Sequence, residues 1–202
     1  MTNILYDKVF GSNLDNNKIF LQTEEKQVSY ENFTILTNKI ANILVSQGLN
    51  PGDRVAAQVE KSVTQLALYA ATIKAGGVYL PLNTAYTPHE LNYFISNARP
   101  KIIVTAKDTV GELEKLFSSA QAIFLTLNAD GTGSLGDKLN IAEANFKAAS
   151  RSEQDLAVIM YTSGTTGKSK GAKLTHQNLA SNCEVLEKSW EFSNNDVLLH
   201  ML

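Results

Sequence analysis

The chain has 202 residues, with 18 basic and 20 acidic side chains for a net charge of −2, 44% hydrophobic residues and one cysteine. That apolar share excludes wholesale disorder, and a charge near zero excludes general attraction to nucleic acid or anionic lipid. A lone Cys183 excludes an intramolecular disulfide. With no metal-type Cys/His spacing around it, it is expected to pack as a small buried or half-buried hydrophobe.

The first residues, Met1 to Lys8, show neither the basic flank and apolar core of a secretory signal nor an Arg-rich presequence. The most apolar stretch, Leu66 to Leu82, is broken by Lys74 and by Gly76-Gly77 before Pro81. It falls short of the roughly 20 apolar residues that a spanning helix needs. A cytoplasmic protein without a membrane span is the expectation.

In chain order, Tyr30 to Gln47 carries Phe33, Leu36, Ile40, Ile43 and Leu44 at helical spacing, and Gly48 stops the pattern. Val55 to Val59 reads as a strand, Leu66 to Ala75 as a helix closed by glycines, and Val78 to Leu80 as a strand ended by Pro81. His89 to Ala98 predicts an amphipathic helix, Lys101 to Thr105 a strand, Val110 to Phe117 a helix and Ala122 to Leu127 a strand. Asn128 to Ser152 is polar and turn-rich, a surface loop or weak boundary. Asp155 to Tyr161 predicts a further strand and Thr175 to Lys188 a helix. The closing Asp196 to Leu202 has the pattern of a core strand with nothing after it, which points to a partial chain. Apolar, non-alternating strands separated by helices predict an α/β fold, a mostly parallel sheet with helices on both faces.

Chemistry concentrates in Tyr161-Thr162-Ser163-Gly164-Thr165-Thr166-Gly167-Lys168-Ser169-Lys170-Gly171. Three glycines allow close backbone approach, four hydroxyls (Thr162, Ser163, Thr165, Thr166) add donors without charge, and Lys168 and Lys170 add cations. Donors, small side chains and cations together form an anion cradle suited to phosphate. From Leu156 to Cys183 there are three lysines and no carboxylate to repel it. The bland reading is a solvated linker, which the flanking strand and the Thr175 N-cap disfavour.

Competing motifs fail. Only two residues separate Gly164 from Gly167, so the spacing is not that of a Walker loop. The literal G-x-G-x-x-G at Gly131 to Gly136 follows a polar spacer and opens no clear apolar helix, so it reads as a surface turn. Ser163 follows Thr162 rather than forming a G-x-S-x-G elbow, so acyl-serine chemistry is unsupported. His89 is expected on the surface, His176 as part of the helix cap with the loop within reach, and His200 is uninterpretable. Trp190 and Tyr79, Tyr86 and Tyr93 read as packing residues that share no single face.

The Tyr161–Gly171 segment, followed by Leu174-Thr175-His176-Gln177-Asn178-Leu179, resembles the phosphate-loop signature of the AMP-forming adenylating enzymes. That superfamily includes acyl-CoA synthetases, peptide-synthetase adenylation domains and luciferases. The likeness extends upstream through Gly52-Asp53-Arg54-Val55 and Lys74 to Asn83. More narrowly, Gln58 to Ser62, Leu80 to Thr87 and Asp196 to His200 are similar to the malonyl-CoA synthetases. One departure is Ser169, where the family usually has proline; its loss loosens the backbone but removes no donor.

The resemblance implies a ligation in two steps. A carboxylate, malonate or another small diacid, attacks the α-phosphorus of ATP to give an acyl-adenylate; coenzyme A then displaces AMP. It assigns Thr162, Ser163, Gly164, Thr165, Thr166 and Gly167 to the phosphate cradle, with Lys170 as the charge-stabilising cation. Mg²⁺ would share the charge, although no metal ligand can be named here. The implied partners are a small carboxylic acid, ATP and coenzyme A. The adenine, ribose, acid-pocket and Mg²⁺ residues, and the mobile carboxy-terminal domain, would lie beyond Leu202. Residues 1–202 are therefore expected to be part of an amino-terminal AMP-binding domain, inactive alone. Two alternatives stand: a peptide-synthetase adenylation domain or another acyl- or aryl-CoA ligase, and, from a different class, a non-catalytic nucleotide-binding module.

Overall fold

A computed structural model describes residues 3–11, 17–118, 121–162 and 169–199. The elements are α1 (Ile4–Val9), β1 (Ile19–Gln22), β2 (Gln27–Ser29), α2 (Tyr30–Ser46), β3 (Arg54–Gln58), α3 (Val63–Lys74), β4 (Val78–Pro81) and α4 (Pro88–Ala98). They continue as β5 (Ile102–Thr105), α5 (Val110–Leu116), β6 (Ile123–Thr126), α6 (Ser134–Leu139), β7 (Leu156–Thr162), β8 (Lys170–Thr175) and α7 (His176–Ser189).

Helix starts follow local chemistry. Ser29 accepts from the Asn32 N–H at the start of α2, and Ser62 from the Gln65 N–H at the start of α3. Capping boxes pair Thr87 with Glu90 on α4 and Thr175 with Asn178 on α7. The turn after α3 uses Gly76 at φ +79°, where a side chain would meet Ala149, Arg151 and Pro51.

Among the described residues the main sheet has the strand order β6-β5-β3-β4-β7-β8. Every neighbouring pair is parallel except β7 with β8, which is antiparallel. Alternate residues serve opposite faces. Val55, Ala57, Tyr79, Ile102 and Val104 join Ile40, Leu44 and Leu68 in one core. Ala56, Leu80 and Ile103 join Leu91, Phe94, Ile95, Leu113 and Phe117 in the other. Helices thus cover both faces, as the strand composition predicts.

Several expectations need correction. Asn128 to Ser152 is not all loop. The expected turn is present, with Gly131 and Gly133 at positive φ, but it leads into α6, whose Leu135 is fully buried. The rest of this polar stretch hangs from helix side chains: Asn38 Nδ2 donates to the Ala144 carbonyl at 2.7 Å, and Asn3 Nδ2 to the carbonyls of Ile73 and Ala149. Asparagine amides thus fasten the stretch alongside Leu139, Ala142, Phe146 and Ala148, which pack against the first core. Residues 196–199 form no strand and are exposed, Val197 at 93%, because no neighbouring strand meets them here; 200–202 lie outside the described residues. Cys183 is exposed rather than buried, and Trp190 is 64% exposed rather than packed, both being on parts of α7 and its end that turn outward.

Candidate functional site

In a sheet of this kind ligands bind beyond the carboxyl ends of the parallel strands. The anion-cradle segment sits on that edge. Strand β7 ends at Thr162 and β8 begins at Lys170; the two residues are direct cross-strand partners in the antiparallel register. Both are exposed. The tertiary structure therefore brings together Thr162 and Lys170. Ser163, Gly164, Thr165, Thr166 and Gly167, with Lys168, lie outside the described residues.

Strand β8 carries little signal in the sequence. Lys170-Gly171-Ala172-Lys173-Leu174-Thr175 has low apolar content, and four of its residues are exposed because it is the sheet's edge. Antiparallel pairing with β7 makes the strand, not its composition. The described hairpin carries Lys170 and Lys173 and no carboxylate, so its loop end, where Lys170 stands, is electropositive.

Two tyrosines bind the hairpin to α4. Tyr93 Oη donates to the Ser169 carbonyl at 3.0 Å, and Tyr161 Oη donates to Asn97 Oδ1 at 2.6 Å. Tyr161 also packs against Phe94, with ring centroids 4.4 Å apart and the planes tilted by 32°. Burial, and then the neighbouring Tyr93, holds the Tyr161 phenol above its ordinary range. Sequence spacing has no signal for these hydrogen bonds, whose partners are 76 and 64 residues apart.

His176 is not the cap. Thr175 caps α7, and the His176 N–H donates to the Asp155 carbonyl at 3.0 Å. Its imidazole is fully buried, and among the described residues neither ring nitrogen has a hydrogen-bond partner. Burial pushes its pKa down, Arg151 adds to that, and Asp155 opposes it. A ring so enclosed does not present itself to a ligand. His89 is exposed, as expected.

A cavity of about 490 Å³ opens on the β3–β5–β6 half of the same edge, lined by residues that include Glu60, Lys107, Asp108 and Asn128. It is separate from the hairpin. Among the described residues no three His, Cys, Asp or Glu side chains gather as a metal site, so they do not fit Mg²⁺ as a cage of their own. No helix among them is long and apolar enough to cross a membrane.

Residues 12–202 match the family model described as AMP-binding enzyme. The chain is 33% identical over 159 residues to tyrocidine synthase 2 of Brevibacillus parabrevis, covering 78% of this chain and 4% of that protein. It is 30% identical over 155 residues to the long-chain-fatty-acid–CoA ligase FadD13 of Mycobacterium tuberculosis (strain ATCC 25618 / H37Rv), covering 77% of this chain and 31% of that one. Among solved structures, ATP-bound MatB from Rhodopseudomonas palustris superposes with a TM-score of 0.96 at 47% identity, over 100% of this chain and 40% of that chain. The chain thus spans less than a third of these two curated relatives, and two-fifths of MatB.

Proposed function

The chain belongs to the AMP-binding enzyme family, and from that premise we propose that its intact protein is an AMP-forming acid–thiol ligase acting on malonate or a similar small diacid. Its mostly parallel sheet matches the amino-terminal domain of adenylate-forming enzymes. The observation that carries the reading is the pairing of Thr162 with Lys170 at the loop end of the β7–β8 hairpin, on the carboxyl edge of that sheet.

In the proposed reaction a substrate carboxylate oxygen attacks the α-phosphorus of ATP, and the bond to the β-phosphate bridging oxygen breaks. Pyrophosphate leaves with the electron pair. The coenzyme A sulfur, its proton lost, then attacks the acyl carbon and expels AMP. The first step moves charge onto pyrophosphate. Lys170 would lie beside that charge, with the hydroxyl of Thr162 as a neutral donor opposite. Ser163, Gly164, Thr165, Thr166 and Gly167 complete the proposed cradle. Mg²⁺, when bound, supplies charge neutralisation on the phosphate oxygens.

Malonate is favoured by the 47% identity to MatB, a malonyl-CoA synthetase, over the whole chain. The second reading, a peptide-synthetase adenylation domain, draws on the 33% identity to tyrocidine synthase 2. Because the chain spans 40% of MatB, residues 1–202 are proposed to be part of the amino-terminal domain, unable to form acyl-adenylate alone. Pyrophosphate release by the intact protein, with malonate, acetate, a long-chain acid and an amino-acid mixture in parallel, tests both. Turnover with malonate and coenzyme A is expected. Turnover with amino acids alone would transfer the assignment to the second reading.

A further inference from the structure

We propose that α4 is a positioning clamp that sets Thr162 and Lys170 for the polyphosphate by holding both flanks of the hairpin. The inference rests on the reading of the hairpin as the nucleotide site and assigns new residues to it. Tyr93 holds the Ser169 carbonyl, one residue before Lys170, and Asn97 holds the Tyr161 hydroxyl, one residue before Thr162. The two anchors act on either side of the Thr162–Lys170 pair, at Ser169 on its loop side and at Tyr161 on its strand side.

The geometry suits a clamp. Tyr93 and Asn97 are four apart on one helix and so share a face, one turn from each other. Phe94 lies between them in sequence and packs its ring against Tyr161. Helix α4 is itself rigidly seated: Pro88 and the Thr87–Glu90 capping box define its start, and Leu91, Phe94 and Ile95 are buried. The opposite strand leaves room for the arrangement. Gly171 pairs with Tyr161, and a side chain there would come within 3.3 Å of the Tyr161 ring.

A clamp is needed for a physical reason. Among the described residues strand β8 is the sheet edge and is paired on one side, with β7, so its first residue is held by few backbone bonds. Lys170 delivers its charge on a long flexible stem whose origin is fixed by the preceding backbone. A displacement of about 1 Å in a positioned group weakens binding and rate out of proportion to its size. Neither Tyr93 nor Asn97 is proposed to touch the nucleotide.

The test measures the ATP dissociation constant by calorimetry, together with the acid KM, kcat and thermal midpoint, in the intact protein. Tyr93→Phe and Tyr161→Phe keep the rings and delete the anchoring hydroxyls. Each is expected to weaken ATP about fivefold, the usual worth of one hydrogen bond, with the acid KM unchanged and the midpoint shifted by less than about 2 °C. Lys170→Ala is run beside them. In the double variant with Lys170→Ala, Tyr93→Phe should cost less than it does alone, because the group it positions is gone. If Lys170→Ala weakens ATP and neither tyrosine variant does, the clamp is wrong and the nucleotide site stands. If none of the three changes ATP affinity, the nucleotide reading itself fails. A large fall in midpoint with both substrates affected alike would make the tyrosines structural and overturn the proposal.

Discussion

Lys74 Nζ is buried under the ring of Tyr6, 4.6 Å from its centroid, and donates to Asn38 Oδ1. Asn38 in turn donates to the Ala144 carbonyl, so one ammonium organises α2, α3, the amino-terminal helix and the 140–150 segment. Burial lowers the Lys74 pKa, and the charge of Asp7 opposes that shift. Lys74→Met keeps the stem but leaves Asn38 Oδ1 without its donor. The expected loss is about 1–3 kcal/mol, the cost of an unsatisfied buried acceptor, read by denaturant titration.

Lys170→Ala removes the cation at the loop end of the hairpin. A charge-assisted hydrogen bond to phosphate is worth about 1.5–3 kcal/mol, which corresponds to about 10- to 100-fold in kcat/KM for ATP. Lys173 pairs with Ile159, three residues along β8, and so stands away from the turn. Lys173→Ala should change kcat/KM for ATP less than twofold, about the scale of a surface charge. Equal effects from both lysines would show a diffuse field rather than a placed charge.

His176 makes stability depend on pH. Its folded pKa lies below the unfolded value, so the unfolded chain binds the proton first as pH falls. The stabilisation is present above the ordinary histidine pKa of about 6.5 and is lost progressively below it. Arg151 and Asp155 are the charged groups coupled to the ring. Thermal midpoints recorded from pH 7.5 down to 5.5 should fall, and His176→Leu should flatten that slope without lowering the value at pH 7.5.

Gly76→Ala combines two costs. The position has φ +79°, and the added carbon would lie 3.1 Å from Ala149, 3.2 Å from Arg151 and 3.3 Å from Pro51. A destabilisation of about 1–3 kcal/mol is expected for a strained backbone with crowding, measured by chemical denaturation. A neutral result would mean that the 149–151 segment moves away freely, against its hydrogen bonds from Asn3 Nδ2 and to the Lys74 carbonyl.

The central fold is legible in the sequence because its residues carry local signals. Val55 to Ala57 and Ile102 to Val104 are apolar on both faces, and only strands covered on both faces by helices use such runs. Helix starts at Thr87 and Thr175 are announced by residues within one turn of the cap, whereas α3 begins at Val63, three residues before the predicted Leu66. The segment from Thr162 to Lys170 stands out in the sequence for another reason: glycines, hydroxyls and lysines crowd into it. Strand β8 is not, since an exposed edge strand is made by its partner. Nor is the burial of His176, or the exposure of Cys183 and Trp190, because the outward side of α7 is set by what the helix leans on.

The sequence alone determined the alternation of helices and strands and the location of the segment rich in glycine, hydroxyls and lysine, because periodicity, capping and local composition act over a few residues. Only the tertiary structure decided the strand order, the antiparallel edge strand and the side chains that hold the loop's flanks. Those depend on pairs such as Tyr93 with Ser169 and Asn3 with Ala149, across 76 and 146 residues. Such pairs form only when the whole sheet has closed, and no local spacing encodes them.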